Sequence, residues 1–281
     1  MNKKNLSIVN SIATALLAYF ITVPGHELLH LLTYLAYGCR VEWYSAGAVQ
    51  GVVPDFSVLS PFHRIMVAGG SASIINTIFG IILLIILFKV KMGPMLRLFL
   101  TQLMGCQMVQ GIGYFMIGGF FAVGDWGNVF ERLSDLPRLV TTLRIILSFV
   151  GAGGIVALFF ILNYMSYYFI EHNNDKAERF DVAFKLHLVI FIIGAALGPV
   201  VALLSPAVRS GALSLGLSLF FDLMWIPFFW GFMFTWVMVK PPKKSRFLYK
   251  LPEKPNYVLL AIGVVLIVID IFVFGPGIKI G

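Results

Sequence analysis

Residues 5–37 read NLSIVNSIATALLAYFITVPGHELLHLLTYLAY. Positions 5–25 carry no charge and are long enough to cross about 30 Å of hydrocarbon as a helix. Three ionisable side chains, His26, Glu27 and His30, then fall together before the apolar character resumes from Leu31 to Tyr37. Such groups are costly inside a membrane helix and are functional by default. The stretch therefore reads as a first membrane helix that carries a polar site.

The rest of the chain is of the same kind. Of its 281 residues 59% are hydrophobic and 12% charged, against roughly a quarter charged in a soluble protein. A soluble fold of this length has too little interior to hide so much apolar surface. A cytosolic enzyme, a secreted disulfide scaffold and a disordered chain are excluded. Further uncharged runs cover 65–88, 98–123, 145–170 and 188–208. Positions 211–239 are interrupted only by Asp222, and 257–278 only by Asp270. The expected fold is an all-α polytopic membrane protein with about seven transmembrane helices, integral and multi-pass.

Lys3 and Lys4 before an apolar run resemble a signal peptide. Ala13-Thr14-Ala15 comes too early for cleavage and the run continues past it, so the expectation is an uncleaved first helix. Between 40 and 53, Arg40-Val41-Glu42-Trp43-Tyr44 and Ala48-Val49-Gln50-Gly51-Val52-Val53 are short β-prone runs about a Ser45-Ala46-Gly47 turn. They predict a short β-hairpin at the membrane surface after the first helix. The other connections leave no room for a sizeable soluble module. Cys39 and Cys106 suggest neither a disulfide nor a Cys-rich metal site.

The net charge of +8 reflects basic loops on one side of the bilayer, and no nucleic-acid partner is expected. With seven spans and a cytoplasmic N-terminus, the inner side holds Lys3, Lys4, Lys89, Lys91, Arg97, Lys176, Arg179, Lys185 and the cluster from Lys240 to Lys254. The outer side holds Arg40, Arg64, Arg132, Arg138, Arg144, Arg209 and Lys279. The excess inside favours a cytoplasmic N-terminus.

His26-Glu27-Leu28-Leu29-His30 is an HExxH. Residues i and i+4 share one helical face, so both imidazoles can reach one Zn²⁺. Glu27 stands where it can take a proton from water polarised by that metal. With this His and Glu content a chance match is expected about once in several hundred such chains. A zinc site of this kind needs a third protein ligand. Asp125, in Val123-Gly124-Asp125-Trp126-Gly127-Asn128, closes the third span, whose helix runs parallel to the first and so approaches the same membrane face. Glu131 is the second choice. Asp222 is a buried rival, Asp270 is expected to be wet, and His63, His172 and His187 lie at span boundaries.

An HExxH on an early membrane helix, a Gly-rich second span and an Asp-Gly-type motif on a third resemble the site-2 protease (M50) family of intramembrane zinc metalloproteases, M50B-like branch. The resemblance covers about residues 7–130. It implies a three-helix metalloprotease core within 1–137, with additional transmembrane helices over 138–281. It implies His26, His30 and Asp125 as Zn²⁺ ligands, Glu27 as the catalytic residue, and a membrane protein or peptide as substrate. Ala68-Gly69-Gly70-Ser71-Ala72-Ser73 is similar to the family's Ala-Gly-Pro-x-x-Asn, with Gly70 in place of Pro and Ser73 in place of Asn. Asn76 lies one turn further along, so Ser73 and Asn76 are both candidates to position substrate. Gly124-Asp125-Trp126 stands where the family has Leu-Asp-Gly, with Gly127 one place late. The family keeps its zinc toward the cytosol, whereas the charge count puts this site's face outside. Two other readings are a non-proteolytic metal-binding scaffold and a transporter. The first predicts a damaged catalytic glutamate, and Glu27 is present. The second predicts inverted repeats and broken helices, for which Pro24-Gly25 and Gly198-Pro199 are the only interruptions of note.

Overall fold

The computed structural model describes residues 7–52, 56–169, 176–211, 238, 249 and 252–281. Helix α1 (Ile8–Ala36) runs through Pro24 and through the whole HExxH. A hairpin of β1 (Arg40–Ser45) and β2 (Ala48–Val52) follows. Next come α2 (Pro61–Lys89), α3 (Pro94–Phe121) and the short α4 (Gly124–Arg132). Then α5 (Pro137–Ser166), α6 (Phe180–Leu204), the single turn α7 (Pro206–Arg209), α8 (Tyr257–Phe274) and β3 (Ile278–Lys279) complete the order. Five of the described helices, α1, α2, α5, α6 and α8, are long and apolar enough to cross a membrane, and α3 and α4, bent by 54° at the break between them, make up to a sixth when the pair is counted as one. The chain is therefore a membrane protein. The expected span at 211–239, with Asp222, lies outside the described residues, as does His172.

The expected hairpin forms, with a register irregularity between Val41 and Trp43. A strand not foreseen from the sequence joins it. The chain's end, β3, pairs antiparallel with β1, so the strand order is β2-β1-β3 and β2 keeps a free edge among the described strands. Pro24 and Pro199 both sit inside continuous helices. The fourth span begins earlier than its uncharged run. Pro137 opens α5 at a position where its missing N–H costs nothing. Arg144 is accommodated because its guanidinium donates to the carbonyls of Gly119 (3.3 Å) and Phe120 (3.2 Å), which the end of α3 leaves open.

Helix α1 is the hub. Its buried polar residues find partners on every neighbour, as lipid demands. The Asn10 amide donates to the carbonyls of Pro252 (2.8 Å) and Lys254 (3.0 Å), and its oxygen accepts from the Asn256 N–H (2.8 Å). This holds the start of α8 beside the start of α1. Ser11 Oγ donates to the Lys185 carbonyl on α6. Gln102 donates to the Ser11 carbonyl (3.3 Å) and Gln107 to Thr22 Oγ1 (3.1 Å), both from α3. Helices from beyond residue 138 thus pack directly on the helix that carries the HExxH.

Candidate metal centre

The end of α1 brings His26 and His30 to one face, and the chain break between α3 and α4 brings in Asp125. Ala122 adopts a left-handed conformation (φ 52°) and Gly124 another (φ 63°). The chain turns there and restarts as α4, with Asp125 in its first turn. The sequence placed Asp125 at the end of a span. It stands instead at a break within one, where the N-terminus of α4 stabilises a carboxylate by about 0.3–1 kcal/mol.

Close approach of Asp125 depends on Gly69. Helix α2 is interrupted by a π-helical turn (Met66–Gly70) in which Gly69 has φ 145°. A Cβ there would lie 2.8 Å from the Asp125 carbonyl oxygen and 2.9 Å from its Cα. Two side-chain ties hold the layers in register. Trp126 Nε1 donates to Ser73 Oγ (3.0 Å), and Thr33 Oγ1 donates to Ser71 Oγ (3.0 Å). Trp126 is packed edge-on against Phe115, at 5.7 Å between ring centres.

Three potential ligand atoms converge. His26 Nε2 lies 3.0 Å and His30 Nε2 3.3 Å from Asp125 Oδ2, and the two Nε2 atoms are 3.2 Å apart. In a tetrahedral zinc site with bonds of 2.0–2.1 Å, neighbouring ligand atoms stand about 3.3 Å apart. The triangle therefore has the dimensions of one face of such a site, and its N₂O composition suits Zn²⁺. His26 is buried, while the His30 and Asp125 side chains retain 11% and 16% exposure, so the open side faces away from His26. Glu27 stands with them: one of its carboxylate oxygens and a ring nitrogen of each histidine lie within 4.8 Å of one another.

The remaining candidates go elsewhere. Glu131 is exposed and outside the triangle. It lines a cavity of about 250 Å³ with Tyr34, Gly51, Phe56, Ala68, Asn128 and Arg132. This cavity begins one turn beyond His30 on α1 and one turn beyond Asp125 on α4, and reaches β2. His63 is exposed and packs on Tyr37 (5.3 Å between ring centres). His187 is buried, with Nε2 3.1 Å from Ser166 Oγ. Asp270 is fully buried, not wet, and neither carboxylate oxygen has a hydrogen-bond partner among the described residues. The reason is the hairpin: the Ala46 N–H donates to the Phe274 carbonyl (3.1 Å) and closes over that helix end.

The hairpin also reaches the metal helix. Tyr44 OH donates to the Pro24 carbonyl (2.8 Å), half a turn before His26. Burial, with the nearby Glu27 and Asp270 carboxylates, pushes the Tyr44 phenol up, so it remains a donor. Ser73 Oγ donates to the Gly70 carbonyl and accepts from Trp126, and the Asn76 amide meets His26 Nδ1 at 2.9 Å. Both are thus engaged within the protein. The sequence reading considered them only toward substrate. Comparison with protein-family models, curated proteins and solved structures returns no match.

Proposed function

We propose that this protein is an intramembrane zinc metallopeptidase that hydrolyses a peptide bond of a membrane protein or membrane-embedded peptide. The observation that carries this reading is the convergence of His26, His30 and Asp125, 99 positions apart in chain for His26 and Asp125, at 3.0–3.3 Å beside Glu27. His26, His30 and Asp125 would hold the metal. When bound, zinc supplies a Lewis acid that polarises water and the scissile carbonyl.

Glu27 does the proton work. Its carboxylate takes the proton of the attacking water and returns it to the departing amide nitrogen. A scissile bond must be presented in extended form, because a helix hides its carbonyls in its own hydrogen bonds. An extended segment in lipid also needs backbone partners. The free edge of β2 offers them, and the cavity at Gly51 and Tyr34 offers room for a side chain next to the triangle.

The test is metal content and hydrolysis measured on the same preparation. The purified protein should hold one zinc per chain. In detergent or vesicles it should cleave labelled casein or single-span membrane proteins, and chelation should abolish that cleavage. Zinc without hydrolysis of any substrate would leave a metal-binding scaffold. A protein that binds no zinc would overturn the reading.

A further inference from the structure

We propose that Asn76 is a positioning residue for the metal centre: it fixes the ring of His26 and the nitrogen on which its proton resides. This rests on the metallopeptidase reading.

A neutral imidazole that offers Nε2 to a cation carries its proton on Nδ1. The His26 ring turns Nε2 toward Asp125 and His30 and Nδ1 toward the Asn76 amide, whose nitrogen stands at 2.9 Å. His26 and Asn76 are 1% and 3% exposed, so water does not serve in place of that partner. With the proton on Nδ1, the amide presents its oxygen; amide oxygen and nitrogen are interchangeable in place by a half-turn of the group. The bond then points the Nε2 lone pair at the triangle and raises its basicity, as outer partners of ligating histidines do. His26 is also held from another side by the Tyr114 ring, 5.0 Å between centres. His30 has no corresponding hydrogen bond on its Nδ1 among the described residues. The orientation of the pair of histidines is therefore set mainly through His26.

The placement of Asn76 on α2 gives this bond a second consequence. The same helix carries Gly69, against which Asp125 sits, and Ser73, which accepts from Trp126 beside Asp125. One helix thus locates two of the three ligands, one by backbone contact and one by a side-chain hydrogen bond. Asn76 is committed to His26, so its contribution is to metal retention and not to substrate contact.

The experiment measures zinc affinity by competition with a chromophoric chelator, together with the visible absorption spectrum of the cobalt(II)-loaded protein. No substrate is needed. Asn76→Ser is too short to reach Nδ1 and leaves a small polar residue that the fold tolerates. It should weaken zinc binding about 10- to 100-fold, the usual loss for an outer partner, and alter the cobalt bands. Asn76→Asp keeps an acceptor of the same size and should bind zinc at least as tightly as the unaltered protein. Asn76→Ser with unchanged affinity and spectrum would overturn the proposal. Equal weakness of Asn76→Ser and Asn76→Asp would overturn it too, because it would mean a packing role only. An unaltered protein that binds no zinc would instead remove the metallopeptidase reading and this inference with it.

Discussion

Glu27 and Asp125 are both carboxylates beside two imidazoles, and the proposed function gives them different roles. Asp125 is fixed at the first turn of α4 with Oδ2 at 3.0 and 3.3 Å from both Nε2 atoms. Glu27 sits on α1 next to His26, with a carboxylate oxygen within 4.8 Å of a ring nitrogen of each histidine. Asp125→Ala should therefore bring zinc well below one equivalent, whereas Glu131→Ala should retain a full equivalent. The reverse result in metal analysis would reassign the third ligand. Glu27→Gln keeps shape and size and cannot accept a proton. It should retain zinc and thermal stability and lose at least about a hundredfold in cleavage rate, the usual loss for a general base. Unchanged cleavage by that variant would remove Glu27 from the chemistry.

At the scale of elements, the sheet and the two helix breaks do the positioning. Gly69→Ala would place a Cβ 2.8 Å from Asp125 backbone and force a side chain into φ 145°. It should cost about 1–3 kcal/mol and loosen zinc together with α4. Gly153→Ala in α5, where a Cβ meets nothing within 4 Å, should leave both melting temperature and zinc unchanged or slightly improved. Equal effects of the two in a thermal-shift assay would refute the close-approach argument. Proline removes one strand N–H without adding charge. Placed singly from Val49 to Val52, it should impair cleavage at alternate positions, where N–H groups face away from β1, and spare zinc. Loss at every position would mean misfolding, and no loss would mean that substrate docks elsewhere. Much of this was legible in the sequence, because apolar runs and an i, i+4 pair are local patterns. Asp125 was legible as well, from the direction of parallel spans. The Asn76–His26 bond, the burial of Asp270 and the pairing of β3 with β1 were not. Each depends on which helices meet, and apolar faces that all look alike to lipid do not encode that in any short stretch.

At the scale of the whole molecule, the charge bias and the family resemblance predict opposite membrane faces for the centre. The Lys and Arg bias favours a hairpin outside the cytoplasm, while the resemblance to site-2 proteases implies a zinc toward the cytosol. The bias assumes a span at 211–239 that lies outside the described residues, but the hairpin side is fixed by α1 alone once the N-terminus is inside. His30 precedes Ala36 by six residues, so the centre lies about 9 Å below the level at which α1 ends. The start of β1 and the start of α8 mark opposite ends of α1, since Arg40 follows four residues after Ala36 and Asn256 bonds to Asn10, while the turn of the hairpin lies back beside mid-helix, where Tyr44 meets Pro24. Single cysteines at these two ends therefore report the two faces. Ser45 is buried and hydrogen-bonded to Ala48, so the exposed Arg40, at the start of β1, is the better site. Lys254 is exposed at the other end. The native background is low: Cys39 and Cys106 are both buried, and burial pushes the Cys39 thiol up, leaving little thiolate near neutral pH. In intact cells a membrane-impermeant maleimide should label Arg40→Cys and not Lys254→Cys, placing hydrolysis near the outer surface. Labelling of Lys254→Cys alone would invert the protein and bring its centre to the cytosolic side that the family resemblance implies.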